Sequence, residues 1–219
     1  MAIKVIVLGA GGNCRDIVDA MLEVNASAAS AVYEPVGYLD DDAAKAGALL
    51  GGVPVLGPLS AASQYPDCQF VNGINGTALM PAKAGILEKT GIPIERFATV
   101  VHPRASVSKM AKVGEGSVIF QNVSICSNVT IGRHVAILPN SVVAHDCAIS
   151  DGVYITANVS LAGYVAVGKA AYLGTSCSVM CRKEIGAEAI VGMGAVVLEN
   201  VPARAIVAGV PAKIISHRS

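Results

Sequence analysis

At 219 residues the chain has room for one large or two small domains, each able to bury its own core. Its 16 basic and 16 acidic residues cancel to zero formal charge, which argues against an electrostatic grip on nucleic acid or anionic lipid and points to small-molecule partners. The chain is 53% hydrophobic but only 4% aromatic, with 23 Gly and no Trp, so its interior must be built from Ala, Val and Ile in thin layers, as in a repeat architecture. No apolar run approaches the roughly 18 residues of a membrane span. Lys4 and the glycine turn after it make the N-terminus a strand rather than a signal peptide, so a cytoplasmic protein is expected. The six cysteines form no C-x-x-C pair and read as small apolar filler.

In chain order, residues 2–9 form an apolar, β-rich run, Gly9, Gly11 and Gly12 make a turn, and residues 13–22 carry apolar side chains at helical spacing. Backbone amides at such a helix start attract phosphate, and the missing side chains let a diphosphate approach. The three glycines are not the full G-x-G-x-x-G, so a purely structural turn stands as the other reading. A second strand over 32–39 ends at Asp40, Asp41 and Asp42. Carboxylates at the carboxyl end of a parallel strand can accept hydrogen bonds from ribose hydroxyls or a base edge, although a solvated turn or helix cap also explains Asp42. Residues 70–74 read as a further strand and 77–89 as a helix. Residues 1–100 thus predict a small, Rossmann-like, doubly wound parallel sheet.

From Val101 to Val197 every sixth residue is aliphatic, seventeen positions without exception, Ile119, Ile137, Ile155 and Leu173 among them. The fourth residue after each is nearly always small or Val, as at Ala105, Ser117, Val123, Cys147 and Val153, and Lys183 is the one clear break. A period of six fits neither a helix nor plain strand alternation. Three hexads close one triangular coil of a β-helix, and about five coils stacked at roughly 4.8 Å give a prism about 25 Å tall. No insertion interrupts the hexads, so no long loop closes over a ligand, and flat aliphatic faces favour a symmetric oligomer with sites between prisms.

Of the four histidines, His102 before Pro103 and His217 near the end read as structural or free, and His134 as a solvated or subunit-contact residue. His145 points outward in its hexad, with Asp146 beside it to accept an Nδ1 hydrogen bond and raise the ring's basicity. One coil of eighteen residues further lies Gly163, which removes bulk next to the imidazole and leaves a backbone N–H accessible. Base, gap and donor together suit acyl transfer. On position alone a catalytic and an unremarkable His145 are equally good readings. A γ-type carbonic anhydrase needs three zinc-binding histidines, and the separation of His134 from His145 is not a multiple of the coil length, so no metal is expected.

The order of the glycine turn at 9–12, GYLDDD at 37–42, GVPVLG at 52–57, His102 before Pro103, the hexads and VAGVPAK at 207–213 resembles the sugar O-/N-acyltransferases of the sialic acid O-acetyltransferase type. The aliphatic-Gly openings at Val113, Ile131, Val167, Ile185 and Val191 resemble the left-handed β-helix of hexapeptide acyltransferases, and the resemblance covers essentially the whole chain. It implies a homotrimer with acetyl-CoA in the cleft between two prisms, in contact with Tyr154, Gly163, Thr175 and Met193. It implies a nucleotide-sugar held by Gly11, Gly12, Asn13, Asp40 and Asp41, and a general base, His145, oriented by Asp146. Asn13 and Tyr154 each stand where relatives usually carry His. Lys213 is either a contact for a CoA phosphate or a plain surface lysine. The implied reaction is N-acetylation of the 4-amino group of a nucleotide-linked amino-deoxy sugar, in glycan biosynthesis, the alternative being O-acetylation of a sugar hydroxyl. An NAD-dependent oxidoreductase would leave the hexads (101–219, with a short C-terminal tail) without a role, and a scaffolding trimer would leave His145, Asp146 and Gly163 unexplained.

Overall fold

The computed structural model describes residues 1–75 and 83–218, with the backbone alone at 83 and 84. Strand β1 (Ile3–Leu8) leads through helix α1 (Gly12–Ser27) to β2 (Tyr33–Leu39), then to β3 (Leu49–Leu50), β4 (Val53–Gly57), β5 (Gln69–Asn72) and helix α2 (Lys83–Lys89). The first part of the helix predicted over 77–89 lies outside the described residues. The sheet order is β3-β4-β2-β1-β5, parallel except for the short β3. Val5, Ile6, Val7 and Leu8 are all wholly buried because the sheet is covered on both sides, which is why β1 reads as an unbroken apolar run. On one side Val5 and Val7 pack against Cys14, Ile17, Val18 and Met21, the apolar stripe of α1. On the other, Ile6, Leu8 and Phe70 meet Leu59 and the partly buried Ile86 and Leu87 of α2. The doubly wound arrangement is borne out.

From Val100 onward the chain forms a left-handed parallel β-helix with three faces. The first face carries strands from Val100–Val101 to Ala205–Ala208, the second from Ser106–Val107 to Val196–Val197, and the third from Lys112–Val113 to Glu184–Ile185. Each strand pairs with the one eighteen residues on, as Ile119 with Ile137 and Ile137 with Ile155. The prism is slightly taller than the five coils expected, because its last coil closes through Ala205–Ala208. The aliphatic column and the small column between them fill the interior, with Val123, Val129, Val153 and Cys177 as fully enclosed as Ile119 and Leu173. The outward strand positions mix small polar and aliphatic residues rather than being uniformly aliphatic: the second face presents Ser106, Ser124, Val142, Ser160, Ser178 and Val196. The tail expected after the prism is a strand, Lys213–His217, antiparallel to Ala205–Ala208.

From Gly116 to Gly194 each corner turns through one residue in the left-handed region. Asn122, Asn128, His134, Asn140, Asp146, Asn158, Tyr164, Ala170, Ser176, Arg182 and Glu188 have φ between 53 and 63°. Asn, Asp and Gly reach that region at least cost, which explains their abundance at this step of the hexad.

The α/β region sits on the first face of the prism. Ala98, Val100, Val118 and Phe120 belong to the same apolar cluster as α1, so the two parts share a core. His102, 2% exposed, accepts at Nδ1 from the Arg104 N–H (3.0 Å) and donates from Nε2 to Glu23 of α1 (3.0 Å). Among the described residues no helix is long and apolar enough to cross a membrane.

Candidate active site

The carboxyl ends of β1, β2 and β5 open onto a cavity of about 430 Å³, walled by Gly9, Gly11, Gly12, Asp40, Asp41 and Lys45 among others. It lies where the strand order reverses on either side of β1, the usual crevice of an open parallel sheet. Helix α1 starts in it at Gly11, with no side-chain cap and no acid in its first turn, leaving its first amides open to an anion. The glycines divide by what surrounds them. A Cβ on Gly9 or Gly73 would meet the Cys14 Sγ at 3.0 or 2.5 Å, so packing demands both. On Gly11 or Gly12 it would meet nothing within 4 Å.

Both acids brace this cavity. Asp40 Oδ2 accepts from the Ala10 N–H (2.7 Å) and from Lys45 Nζ (3.0 Å), and Oδ1 accepts from the Asp42 N–H (2.9 Å). Partial burial pushes the Asp40 carboxyl up, but the hydrogen bonds from Asp42, Lys45 and Ala10 outweigh it and leave it below its ordinary value. Asp41 Oδ1 accepts from the Leu59 N–H at 2.9 Å. Lys45, a cation in the cavity wall that sequence reading missed, follows three residues after the helix-capping Asp42 and pairs with it at 3.6 Å.

Asn13 lines this cavity and a smaller one, of about 220 Å³, between α1 and the prism corner at Phe120, Gln121, Leu138 and Pro139. Its Nδ2 donates to the Tyr154 hydroxyl at 2.9 Å. Tyr154 is 4% exposed, and burial pushes its phenol up to about 12. The two positions that depart from the family pattern therefore touch each other across the junction, and the Tyr154 ring is committed to that contact.

His145 occupies the corner between the second and third faces, after Val142–Val143 and before Ala148–Ile149. Its Nδ1 lies 2.8 Å from Asp146 Oδ2, while Asn128 Nδ2 donates to Asp146 Oδ1 at 3.2 Å. The hydrogen bond with His145, and after it the one from Asn128, holds the Asp146 carboxyl below its ordinary value. An ionised carboxylate only accepts, so Nδ1 carries the proton and Nε2 presents its lone pair. A Cβ on Gly163 would stand 2.7 Å from His145 Cε1 and 2.9 Å from Nε2: the imidazole lies against the bare backbone of the next coil. Among the described residues the Gly163 amide donates to no backbone carbonyl.

Thr175 and Met193 sit on the corner between the first and second faces, the corner that carries Gln121 and Pro139. Met193 is exposed, and Thr175 Oγ1 lies 3.3 Å from Thr156 Oγ1. The predicted residues thus fall into two groups. Gly11, Gly12, Asn13, Asp40, Asp41, Tyr154, Thr175 and Met193 gather at the first face and its corner, and His145, Asp146 and Gly163 at the next corner. One hexad separates the corners, about 20 Å at full extension. His134, read as a solvated or subunit-contact residue, is half-buried and packs edge-on to Phe97 with centroids 4.5 Å apart. The third face has a depression of about 470 Å³, but its lining holds one titratable side chain, Glu184. No cluster of three or more His, Cys, Asp or Glu is arranged for a metal ion among the described residues.

No family model matches the chain, and no curated protein does. Solved structures match it from end to end. Perosamine N-acetyltransferase from Caulobacter crescentus, in complex with CoA and GDP-perosamine, is 26% identical over 97% of each chain, with a TM-score of 0.84. This is the fold of the hexapeptide-repeat sugar acyltransferases. WeeI from Acinetobacter baumannii AYE has it too, at 28% identity over 98% of this chain and 100% of that one, with a TM-score of 0.70. The acetyltransferase domain of PglB from Neisseria gonorrhoeae FA1090, in complex with acetyl coenzyme A, shares the fold at 24% identity, 98% and 100% coverage and a TM-score of 0.85. The perosamine enzyme was solved as variants with one histidine replaced by Asn or Ala. The resemblance read from the sequence is borne out: a sugar-acyltransferase α/β region precedes a hexapeptide prism.

Proposed function

We propose that the protein is an N-acetyltransferase that moves the acetyl group of acetyl-CoA to the 4-amino group of a nucleotide-linked amino-deoxy sugar. One observation carries this reading: an imidazole, fixed at Nδ1 by Asp146, lies on a glycine whose amide is free, in a chain whose other end opens a phosphate-ready crevice. The neighbour that binds CoA and GDP-perosamine supports the substrate class. The nucleotide diphosphate is held by the amides of Gly11 and Gly12, within loops that Asp40 and Asp41 brace, and Asn13 faces the sugar. His145 Nε2 takes the proton from the amine as its nitrogen bonds to the thioester carbonyl. The Gly163 N–H donates to the resulting oxyanion. Collapse breaks the carbon–sulfur bond, and the imidazolium returns the proton to the departing thiolate.

The two groups of residues meet between subunits in this reading. The second face carries Ser and Val outward along its strands, with the exposed apolar Met180 and Leu198 just after them, and no charge, so it is the face suited to burial around a three-fold axis. There the His145 corner of one prism meets the Thr175 and Met193 corner of the next, with acetyl-CoA along the cleft and Tyr154 bracing its wall. Residues 1–100 form the nucleotide-sugar unit and 101–219 the acetyl-transfer unit of this homotrimer, which works in the cytoplasm where both co-substrates are made.

The test is thiol release from acetyl-CoA with GDP-perosamine and with UDP- and dTDP-linked 4-amino sugars, followed by mass spectrometry of the product. N-acetylation of at least one is expected. Turnover of free sialic acid with none of these would overturn the reading in favour of O-acetylation.

A further inference from the structure

Tyr164 stands one coil beyond Asp146 in the column of left-handed corner residues, with φ 63°, and Arg182 one coil further, with φ 59°. Asn122, Asn128, Asn140 and Asn158 show what this step of the turn ordinarily takes. His134, Ala170, Ser176 and Glu188 take the same step, so the turn alone does not single out Tyr164; its side-chain contacts do.

The side chain of Tyr164 meets His145. The two rings stand edge to face, with centroids 5.3 Å apart and planes at 88°. The Arg182 guanidinium lies 4.5 Å from the centre of the Tyr164 ring. Backbone bonds set the spacing of these coils: the Tyr164 N–H donates to the His145 carbonyl (3.1 Å) and the Arg182 N–H to the Gly163 carbonyl (3.0 Å). Without Tyr164 the imidazole would have one hydrogen bond, to Asp146, and the bare Gly163 backbone as restraints. Ala144 and Ala162 beside it are too small to wall it in. Tyr164 is itself 47% exposed, so its own orientation needs a partner, which the Arg182 cation supplies.

We propose that Tyr164 and Arg182 are positioning residues: the phenol ring closes the open side of the His145 imidazole, and Arg182, stacked on that ring, keeps it there. The proposal rests on His145 being the general base. Its consequence is that Nε2 stays aimed into the cleft, where an imidazole held only at Nδ1 would swing into solvent.

Steady-state kinetics with acetyl-CoA and the preferred nucleotide-linked amino sugar test it in the intact protein. Tyr164→Ala lowers kcat about tenfold, with both KM values little changed, because a misplaced base slows chemistry and leaves binding alone. Tyr164→Phe keeps the ring edge that does the positioning and loses only the hydroxyl's weak hydrogen bond to Asp146, so it restores most of the rate. Arg182→Ala gives a smaller loss that disappears in the Tyr164→Ala background, and Tyr164→Ala costs nothing further in a His145→Ala background. An unchanged kcat in Tyr164→Ala, or an equal loss when His145 is already absent, overturns the proposal. Imidazole ¹⁵N NMR of the protein separates this from failure of the base assignment. Wild type should show His145 in a single Nδ1–H tautomer and Tyr164→Ala a mixture; an unchanged spectrum overturns the positioning role whatever the activity of His145→Ala.

Discussion

His145 has one nitrogen spoken for and one free, and its neighbours decide which. Removing the ring in His145→Ala should cut kcat by about 10² to 10⁴ while acetyl-CoA affinity, measured by calorimetry, stays near wild type. For an amine acceptor the loss shrinks as pH rises and the amine loses its proton unaided; for a hydroxyl acceptor it persists. Asp146→Ala should cost less, because it frees the ring without deleting it. The Asp146 carboxyl titrates below its ordinary 3.8, so the stabilisation from its pairing is complete above that pH and fades only as pH falls through the lowered value. Any activity lost on lowering the pH to about 5 would then not be a loss of the Asp146 charge. The glycines give opposite expectations. Gly163→Ala drives a methyl group to 2.7 Å from the imidazole and should lower kcat with a nearly unchanged melting temperature. Gly12→Ala meets open space, so it should stabilise α1 by about 1 kcal/mol while raising KM for the nucleotide-sugar. A Gly12→Ala protein with an unaltered KM would remove that turn from the substrate site.

At the scale of elements, α1 is the part that both halves of the molecule use. It opens the crevice beside Asp40 at its first turn, buries its stripe against β1 and the first coils, and reaches the prism through Asn13 and Glu23. Tyr154→Phe deletes the hydroxyl that Asn13 bonds and should cost about 1 kcal/mol in urea unfolding. That cost should vanish in an Asn13→Ala background, and persistence there would mean the hydroxyl acts elsewhere. Such pairings were illegible in the sequence, because Asn13 and Tyr154 are 141 residues apart and nothing local marks them. The prism was legible because each coil repeats one steric problem: an inward aliphatic, an inward small residue and a left-handed corner. The corner column was equally open to reading, as the run of Asn at 122, 128, 140 and 158 now makes plain. The glycine turn and the acids after β2 were visible as motifs, yet their division of labour was not. Whether Gly9 or Gly12 is required by packing depends on where Cys14 lies, and Asp40 turned out to hold the turn itself.

For the whole molecule, the proposed reaction brings the two groups of site residues together only between subunits. A homotrimer by light scattering at micromolar concentration is expected, and a monomer would leave His145 without an acceptor. Mixing subunits gives a sharper test: a His145→Ala protein and one with a blocked nucleotide crevice, each inactive, should regain activity when refolded together. Because coils superimpose at about 4.8 Å, the height of every group up the prism is counted in blocks of eighteen residues. Adding one whole coil below Val142 would lift the imidazole by a single step and leave its immediate surroundings alike, whereas adding a few residues would turn the column out of line. In the proposed reaction the distance from nucleotide to reacting nitrogen is thus a gauge with fixed graduations, and a longer or shorter acceptor would be matched only by a full notch.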